Sequence, residues 1–367
     1  MKKARDVLVI ATLSCLLLVA AEAGLRLLRL VRGEPGATRV ERFYVQMRQA
    51  LGLYRQHAFT NTAAKAGAAV EAFGRQVAFN SAGYRSPERS FARRPGVRRI
   101  LCAGGSTTFD LGAANDPATW PALLEAGLPG TEVWNAGFPG WTSAENLISF
   151  ALRDGDLEPD LLIVYQGIND LQPASHQPFD RQYEGGHAAE SRLALGLGLP
   201  PIGWSERSLL LEKARDLLGQ PRDPWQRLKV PAGGGRLERL PEAAVATFER
   251  NVRSLIALAG WRAGRVLLVT QPLRLRREAA AADRDYLAGW LQGLDPEAAA
   301  GELERLNEVL RRLAGEDGVA LADAAREIDW QDADFVDPMH TSAAGSRKLA
   351  AYLAPRAEEQ LPPAASP

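Results

Sequence analysis

The sequence predicts an α/β protein, a three-layer α/β/α sandwich with a mostly parallel central sheet. Four short apolar runs, at 100–103, 132–134, 161–165 and 266–269, show no alternation of polar and apolar residues. Such runs are typical of parallel strands that are covered on both faces. Helical patterns lie between them: Thr142 and Glu145 form a capping-box signature, and residues 240–260 and 295–315 read as amphipathic helices. Strands that alternate with helices indicate this architecture.

The composition is that of an ordinary globular chain. Its 367 residues are 46% hydrophobic and 24% charged, and 44 basic residues balance 44 acidic ones. The length predicts one large domain, or one domain with appendages. The balanced charge gives no field that attracts nucleic acid, so we expect no nucleic-acid partner. Two cysteines, Cys15 and Cys102, exclude a disulfide-rich scaffold and a cysteine-based zinc site.

The N-terminal segment carries an export or anchoring signal. Residues 1–6 are net basic, Val7 to Ala21 is almost unbroken apolar sequence, and Glu22 follows. A buried core helix would explain the run, but the basic start favours export. Ala21-Glu22-Ala23 fits the cleavage rule of a secretion signal, whereas Val7 to Leu25 approaches the roughly 20 residues that span a bilayer. The chain is then either membrane-anchored with an extracytoplasmic domain or, after cleavage, secreted or periplasmic.

The remaining sequence divides by pattern. We expect a signal anchor or signal peptide at 1–26, a stalk and lead-in segment at 27–96, the main domain at 97–356 and a flexible tail at 357–367. Residues 171–240 break the alternation of strands and helices and are rich in glycine and proline. We interpret them as an insertion that covers the site.

Chemically useful residues follow three of the predicted strands. Ser106 comes directly after Gly104-Gly105, Gly137 closes Asn-Ala-Gly, and Asn169 lies in Gly-Ile-Asn-Asp. Each motif alone is typical of a turn. Ligands of open α/β sheets bind at the carboxyl ends of the strands, so the three residues are candidates for one site.

A fourth motif supplies a base. Asp337 precedes His340 by three residues, a spacing that lets the carboxylate hold Nδ1 of the imidazole and leaves Nε2 free to accept a proton. The chain's other histidines, His57, His176 and His187, do not stand in an Asp-x-x-His motif.

Together these motifs resemble the SGNH (GDSL-like) hydrolase family, over about residues 97–356. The resemblance includes PATWPALLE, NAGFPGWTSAENL, YQGIND and DPMHTSAAG. It implies a flavodoxin-like sandwich, in which Ser106 is the nucleophile, His340 the base with Asp337 beside it, and Ser106, Gly137 and Asn169 the oxyanion donors. Gly105 stands where the family's Gly-Asp-Ser-Leu motif has aspartate. The variant resembles an exported, often membrane-tethered branch and leaves open how the turn is braced.

The resemblance implies an esterase that forms an acyl-enzyme on Ser106 and needs no metal or organic cofactor. An O-acetyl or lipid ester, as a small molecule or on a glycan, is the expected substrate class. An O-acyltransferase would use the same serine, because the covalent step is identical and only water exclusion and acceptor binding differ. A catalytically silent, glycan-binding scaffold is the third alternative, and the intact Ser106, Asn169 and His340 argue against it.

Overall fold

The computed structural model describes residues 2–72, 74–182, 201–220, 235–262, 264–274, 281–291 and 293–363. The chain forms two compact units. One contains residues 1–49 and 198–228, and the other contains residues 50–197 and 229–367.

Helices and strands alternate along most of the described chain. The helices are α1 (Lys2–Val31), α2 (Arg39–Leu51), α3 (Ser106–Phe109), α4 (Trp120–Ala126), α5 (Ser143–Leu152), α6 (Leu171–Ser175), α7 (Trp204–Arg207), α8 (Leu209–Leu217), α9 (Glu242–Arg262), α10 (Ala281–Trp290), α11 (Ala299–Leu313), α12 (Ala324–Glu327) and α13 (Ala343–Gln360). The strands are β1 (Tyr54–His57), β2 (Asn61–Ala64), β3 (Ala69–Ala72), β4 (Arg75–Ala78), β5 (Arg98–Gly104), β6 (Thr131–Asn135), β7 (Leu161–Tyr165), β8 (Arg265–Val269) and β9 (Val319–Ala322).

The larger unit is built on a parallel sheet of five strands in the order β6-β5-β7-β8-β9, as seen in the described residues. The predicted α/β sandwich is therefore confirmed. The four predicted apolar runs lie in β5, β6, β7 and β8. Strand β9 was not predicted, because four residues of which two are alanine carry too weak an apolar signal.

Both faces of the sheet are covered, which explains the continuous apolar runs. Along β7, Leu162 and Val164 pack in the core that α5, α9 and α11 complete. Ile163 and Tyr165 point to the other core, which α4 and α13 complete. Helix α5 begins with the predicted capping box, in which the Thr142 backbone N–H donates to the Glu145 carboxylate over 2.8 Å.

The register of the sheet brings the predicted site residues to one edge. Gly104 at the end of β5 pairs with Tyr165 at the end of β7, and Cys102 pairs with Asn135 at the end of β6. The turns after these three strands consequently lie side by side.

The segment 27–96 differs from the predicted stalk and lead-in. From Ala50 onward it belongs to the unit that holds the sheet, and it forms two antiparallel hairpins, β1–β2 and β3–β4. Their apolar side chains pack against Phe109, Phe138 and Trp141. Four-residue strands with little apolar alternation gave no clear signal in the sequence.

Two further boundaries also change. The described part of the predicted insertion at 171–240 contains α6, α7 and α8, and residues 201–220 belong to the smaller unit. The remainder of that insertion, including His187, lies largely outside the described residues. Residues 357–361 do not form the predicted tail, because α13 continues to Gln360 and both Ala357 and Leu361 are buried.

Candidate active site

The candidate nucleophile sits at a tight turn between β5 and α3. Strand β5 ends at Gly104, and Ser106 is the first residue of α3. A Cβ at Gly104 would lie 2.2 Å from the Tyr165 carbonyl oxygen, so only glycine allows the two strands to come this close. Ser106 is buried, with 6% of its surface exposed. The turn thus places the serine at the carboxyl edge of the sheet, in a site with little access for solvent.

Ser106, His340 and Asp337 form one hydrogen-bonded chain. The Ser106 Oγ lies 2.8 Å from Nε2 of His340, and Nδ1 of the same ring lies 2.7 Å from Oδ2 of Asp337. The backbone N–H groups of Met339 and His340 donate to Oδ1 of Asp337, over 3.0 and 2.9 Å. These bonds fix the carboxylate and the ring in the orientation that lets Nε2 take the serine proton.

Burial and hydrogen bonding shift the pKa of Asp337 in opposite directions. Burial raises the pKa of the carboxyl group, but the side-chain hydrogen bond and charge of His340, with the two backbone N–H donors, lower it below its ordinary value of 3.8. The lowered pKa keeps Asp337 ionised at neutral pH, as an orienting carboxylate must be.

The lowered pKa of Asp337 predicts a pH-dependent stability. A carboxyl group whose pKa is lower in the folded state stabilises the fold above its ordinary pKa of 3.8, and that contribution disappears as the pH falls through the folded value. We therefore expect thermal unfolding to show wild type more stable than Asp337→Asn near neutral pH, with the difference shrinking below the ordinary pKa. The exposed Asp317→Asn serves as control. A difference that stays constant across this range would contradict the prediction.

Asn169 fills the space that Gly105 leaves open. A Cβ at Gly105 would lie 2.1 Å from Nδ2 of Asn169. That amide donates one hydrogen to the Trp141 carbonyl oxygen over 2.9 Å. An NH₂ group has a second hydrogen, which remains for a substrate oxygen at the Ser106 turn. The glycine in the family's aspartate position therefore makes room for the side chain of a candidate oxyanion donor.

Gly137 lies against α3, the helix that begins with Ser106, but the Gly137 N–H group already has an acceptor. A Cβ there would lie 2.2 Å from the Phe109 backbone nitrogen, so glycine is required for α3 to pack at this point. The Gly137 N–H donates to Oδ1 of Asn135 over 3.0 Å. To serve as an oxyanion donor, Gly137 would have to share this hydrogen or release it from Asn135. Sequence reasoning did not anticipate the competing side chain, although it is the first residue of the same Asn-Ala-Gly motif.

Gln271 joins the turns that carry Ser106 and Asn169, and sequence reasoning missed it. Its Nε2 donates to the Thr107 hydroxyl over 2.6 Å, and its Oε1 accepts from the Ile168 N–H over 2.8 Å. The side chain is buried. It follows β8 at the same edge of the sheet, so the strand-end argument used for the other candidates would have identified it.

Replacing Gln271 should impair turnover more than binding. Gln271→Leu removes the donor to Thr107 and leaves the buried Ile168 N–H without its acceptor, at a cost of about 1–3 kcal/mol in stability. Small displacements of catalytic groups cost up to about 100-fold in rate. We expect kcat to fall about 10- to 100-fold with little change in KM. Exposed Gln56→Leu is the control, and an unchanged kcat in Gln271→Leu would refute the bracing role.

Asp110 joins the nucleophile helix to the histidine loop. It follows α3 in a left-handed conformation, with φ of 63°. Its carboxylate accepts from the Thr341 hydroxyl over 3.2 Å and from the Trp120 N–H over 2.7 Å. Burial raises the pKa of Asp110, and the hydrogen bonds only partly offset this effect. The contact with Thr341 ties the chain beyond Ser106 to the residue that follows His340.

The β1–β2 hairpin supports the Asn169 side of the site. The Trp141 indole N–H donates to the Thr62 carbonyl over 3.1 Å, and the Trp141 ring packs on Phe138 with centroids 4.7 Å apart. Tyr54 in turn packs edge-on against Phe138. Because the Trp141 carbonyl accepts from Asn169, the hairpin indirectly fixes the amide.

The described residues contain no group of three or more His, Cys, Asp or Glu side chains arranged to hold a metal ion. Cys102 is buried within β5, where burial raises the pKa of its thiol well above the ordinary value. It therefore packs as an apolar side chain.

A serine hydroxyl hydrogen-bonded to a histidine at the carboxyl edge of a parallel sheet is an arrangement that serine hydrolases use for nucleophilic catalysis. The chain belongs to the GDSL-like lipase/acylhydrolase family, whose model matches residues 102–348. The resemblance inferred from the sequence is thereby confirmed.

Several solved structures align with much of the chain at low sequence identity. A lipase/acylhydrolase from Enterococcus faecalis is 18% identical, with a TM-score of 0.43 over 74% of this chain and 100% of that one. A carbohydrate acetylesterase from Sinorhizobium meliloti is 16% identical, with a TM-score of 0.42 over 71% of this chain and 99% of that one. An acetyl-xylooligosaccharide esterase from Geobacillus is 16% identical, with a TM-score of 0.40 over 70% and 92%. No curated protein matches the sequence.

Proposed function

We propose that this chain hydrolyses an acyl ester through a covalent acyl-enzyme on Ser106. The proposal rests on the hydrogen bonds that join Asp337, His340 and Ser106. Oδ2 of Asp337 lies 2.7 Å from Nδ1 of His340, and Nε2 of His340 lies 2.8 Å from the Ser106 Oγ. A serine hydroxyl is a weak nucleophile at its free pKa, and an adjacent oriented base is what activates it.

The residues act in two half-reactions. In the first, His340 Nε2 takes the Ser106 proton as Oγ attacks the ester carbonyl, and it then gives the proton to the departing alcohol as the carbonyl carbon–alkoxy oxygen bond breaks. In the second, His340 takes a proton from water as the water oxygen attacks the acyl carbon. It then gives that proton to the Ser106 Oγ as the bond between Oγ and the acyl carbon breaks, which releases the acid and restores the serine. Asp337 stabilises the imidazolium in both.

The transient oxyanion would be held by hydrogen-bond donors near Ser106. The Asn169 amide and the Ser106 N–H, which lies in the first turn of α3 and so has no intrahelical acceptor, are the leading donors. Gly137 contributes only if its N–H is shared with Asn135. Loss of one such donor costs about 10²–10³ in kcat.

We further propose that the acyl group is short and that the ester lies outside the cytoplasm. Ser106 and His340 are both nearly buried, which favours an acetyl group over a long lipid chain. The apolar N-terminal helix, in which Arg5–Val31 is long and apolar enough to cross a membrane, supports the extracytoplasmic location. An O-acetylated glycan or small molecule fits both features.

A chain-length series tests this function. The full chain is assayed in detergent with p-nitrophenyl acetate, butyrate and decanoate, and with an acetylated oligosaccharide. We expect kcat/KM to be highest for acetate, together with release of acetate from the sugar. A preference for decanoate would refute the short-acyl proposal. Acceleration of p-nitrophenol release by free sugars, with the acyl group recovered on the sugar, would instead show acyl transfer.

A further inference from the structure

The surroundings of α1 change abruptly at Glu22. The apolar residues before it are exposed along the whole helix, and its most apolar window has no buried fraction in the described chain. From Glu22 onward, residues 22, 25, 26 and 29 are partly buried. This spacing marks one helical face. Helix α1 therefore has a first part that is exposed in the described chain and a second part that is packed within its own unit.

The Glu22 carboxylate binds the beginning of α8. Its two oxygens accept from the backbone N–H groups of Leu209 and Leu210, over 3.0 and 2.9 Å, and from the Ser208 hydroxyl over 2.9 Å. Arg26 on the next turn of α1 donates to the same carboxylate over 2.9 Å. A carboxylate at a helix N-terminus satisfies N–H groups that the helix itself cannot. The charge that interrupts the apolar run therefore has a structural role.

A second set of bonds fixes α8 beside the end of α1. Arg29 lies 3.2 Å from the Glu212 carboxylate, and the Arg39 backbone N–H donates to the same carboxylate. The link between α1 and α8 thus extends beyond one turn of each helix.

Large apolar side chains stand exposed at both ends of the α7–α8 segment. Trp204 is 80% exposed, Leu217 87% and Leu218 72%. Glu22 ties the start of α8 to the point where the apolar run of α1 ends. Trp204 lies five residues before Leu209, and Leu217 lies within about 12 Å of it along α8, at a rise of about 1.5 Å per residue. Tryptophan with nearby leucines and arginines is the composition that membrane–water interfaces favour.

We propose that α1 is retained as a membrane span and that residues 204–218 lie in the headgroup region, with Trp204, Leu217 and Leu218 against lipid. The partner is the bilayer surface itself, because the segment is joined to the end of the membrane-spanning stretch. Cleavage after Ala23 would remove Glu22 and with it the acceptor for the first turn of α8. The bonding pattern therefore favours the anchor over the cleaved signal, and it does not depend on the esterase assignment.

Site-specific fluorescence tests the proposal. The Cys15→Ser variant is used as background because it removes the exposed cysteine and leaves only Cys102, which is buried. In this background, Trp204→Cys and Leu217→Cys are each labelled with nitrobenzoxadiazole. The full chain is reconstituted into vesicles of equal parts phosphatidylethanolamine and phosphatidylglycerol. We expect blue-shifted emission at both positions and quenching by spin labels carried near the lipid headgroup. Val45→Cys, at a valine 55% exposed on α2 of the same unit, is the reference and should be quenched less.

Two results would overturn the proposal. One is equal quenching at all three positions, which would leave no specific contact between 204–218 and lipid. The other is an intact mass, from membranes of the expressing cells, that lacks residues 1–23. Glu22→Ala should reduce quenching at 204 while the exposed Glu359→Ala does not, and unchanged quenching in Glu22→Ala would refute the positioning role of Glu22.

Discussion

Ser106→Ala is expected to lower kcat on p-nitrophenyl acetate by about 10⁴–10⁶-fold. The Ser106 Oγ lies 2.8 Å from Nε2 of His340, and no other hydroxyl of the described residues is hydrogen-bonded to that nitrogen. The variant therefore has no second nucleophile beside the base. His340→Ala should cost about as much, and the double variant little more, because residues that act as one relay are not additive. Steady-state rates on the full chain measure all three effects.

Fluorophosphonate labelling, together with thermal unfolding, distinguishes the loss of the nucleophile from a failure of the variant to fold. Wild type should be labelled at Ser106 and Ser106→Ala should not, while both unfold at similar temperatures because the substitution removes one hydroxyl. Ser254→Ala is the control, since its hydroxyl only donates to the backbone of its own helix. Full esterase activity in Ser106→Ala would exclude the acyl-enzyme mechanism.

Gly105→Ala should cost nearly as much activity as removing the Asn169 amide. The added Cβ would lie 2.1 Å from Nδ2 of Asn169, a separation that forces the amide out of place. Loss of one oxyanion donor lowers kcat by about 10²–10³-fold. We expect kcat of Gly105→Ala and of Asn169→Ala each to decrease by a factor in this range. KM should change little, since the donor acts mainly in the transition state.

A double-mutant cycle shows whether the two changes share a cause. If Gly105 acts by housing the Asn169 amide, the Gly105→Ala/Asn169→Ala variant should be no slower than the slower single variant. Gly301→Ala is the matched control, because its added Cβ meets no atom within 4 Å. Additive losses would show that Gly105 affects the nucleophile turn by another route.

Part of the site was predictable because its residues follow strands. Parallel strands end at one edge, so apolar runs that stop at Gly104, Asn135 and Tyr165 bring the next residues together whatever the intervening length. The Asp337–His340 pair was predictable for a different reason: a spacing of three residues fixes its geometry locally, and the observed 2.7 Å contact is the result.

Other features depend on residues that only the fold brings together. Gln271 reaches Thr107 across 164 positions, and Asp110 reaches Thr341 across 231. The place of Gln271 after β8 could be read from the sequence, but neither contact leaves a local pattern. The competition between Asn135 and any substrate for the Gly137 N–H is likewise invisible in a motif, since the sequence does not say where the asparagine side chain points.

The sequence by itself determined the covered parallel sheet, the strand-end position of Ser106 and Asn169, and the Asp337–His340 pair. These follow from apolar periodicity and short spacings, which act within a few residues. The tertiary structure decided how the turns are braced, that the hairpins before β5 support Trp141, and that Glu22 binds the start of α8. Those outcomes depend on hydrogen bonds and packing between segments far apart in the chain, whose free energy exists only once the chain has folded.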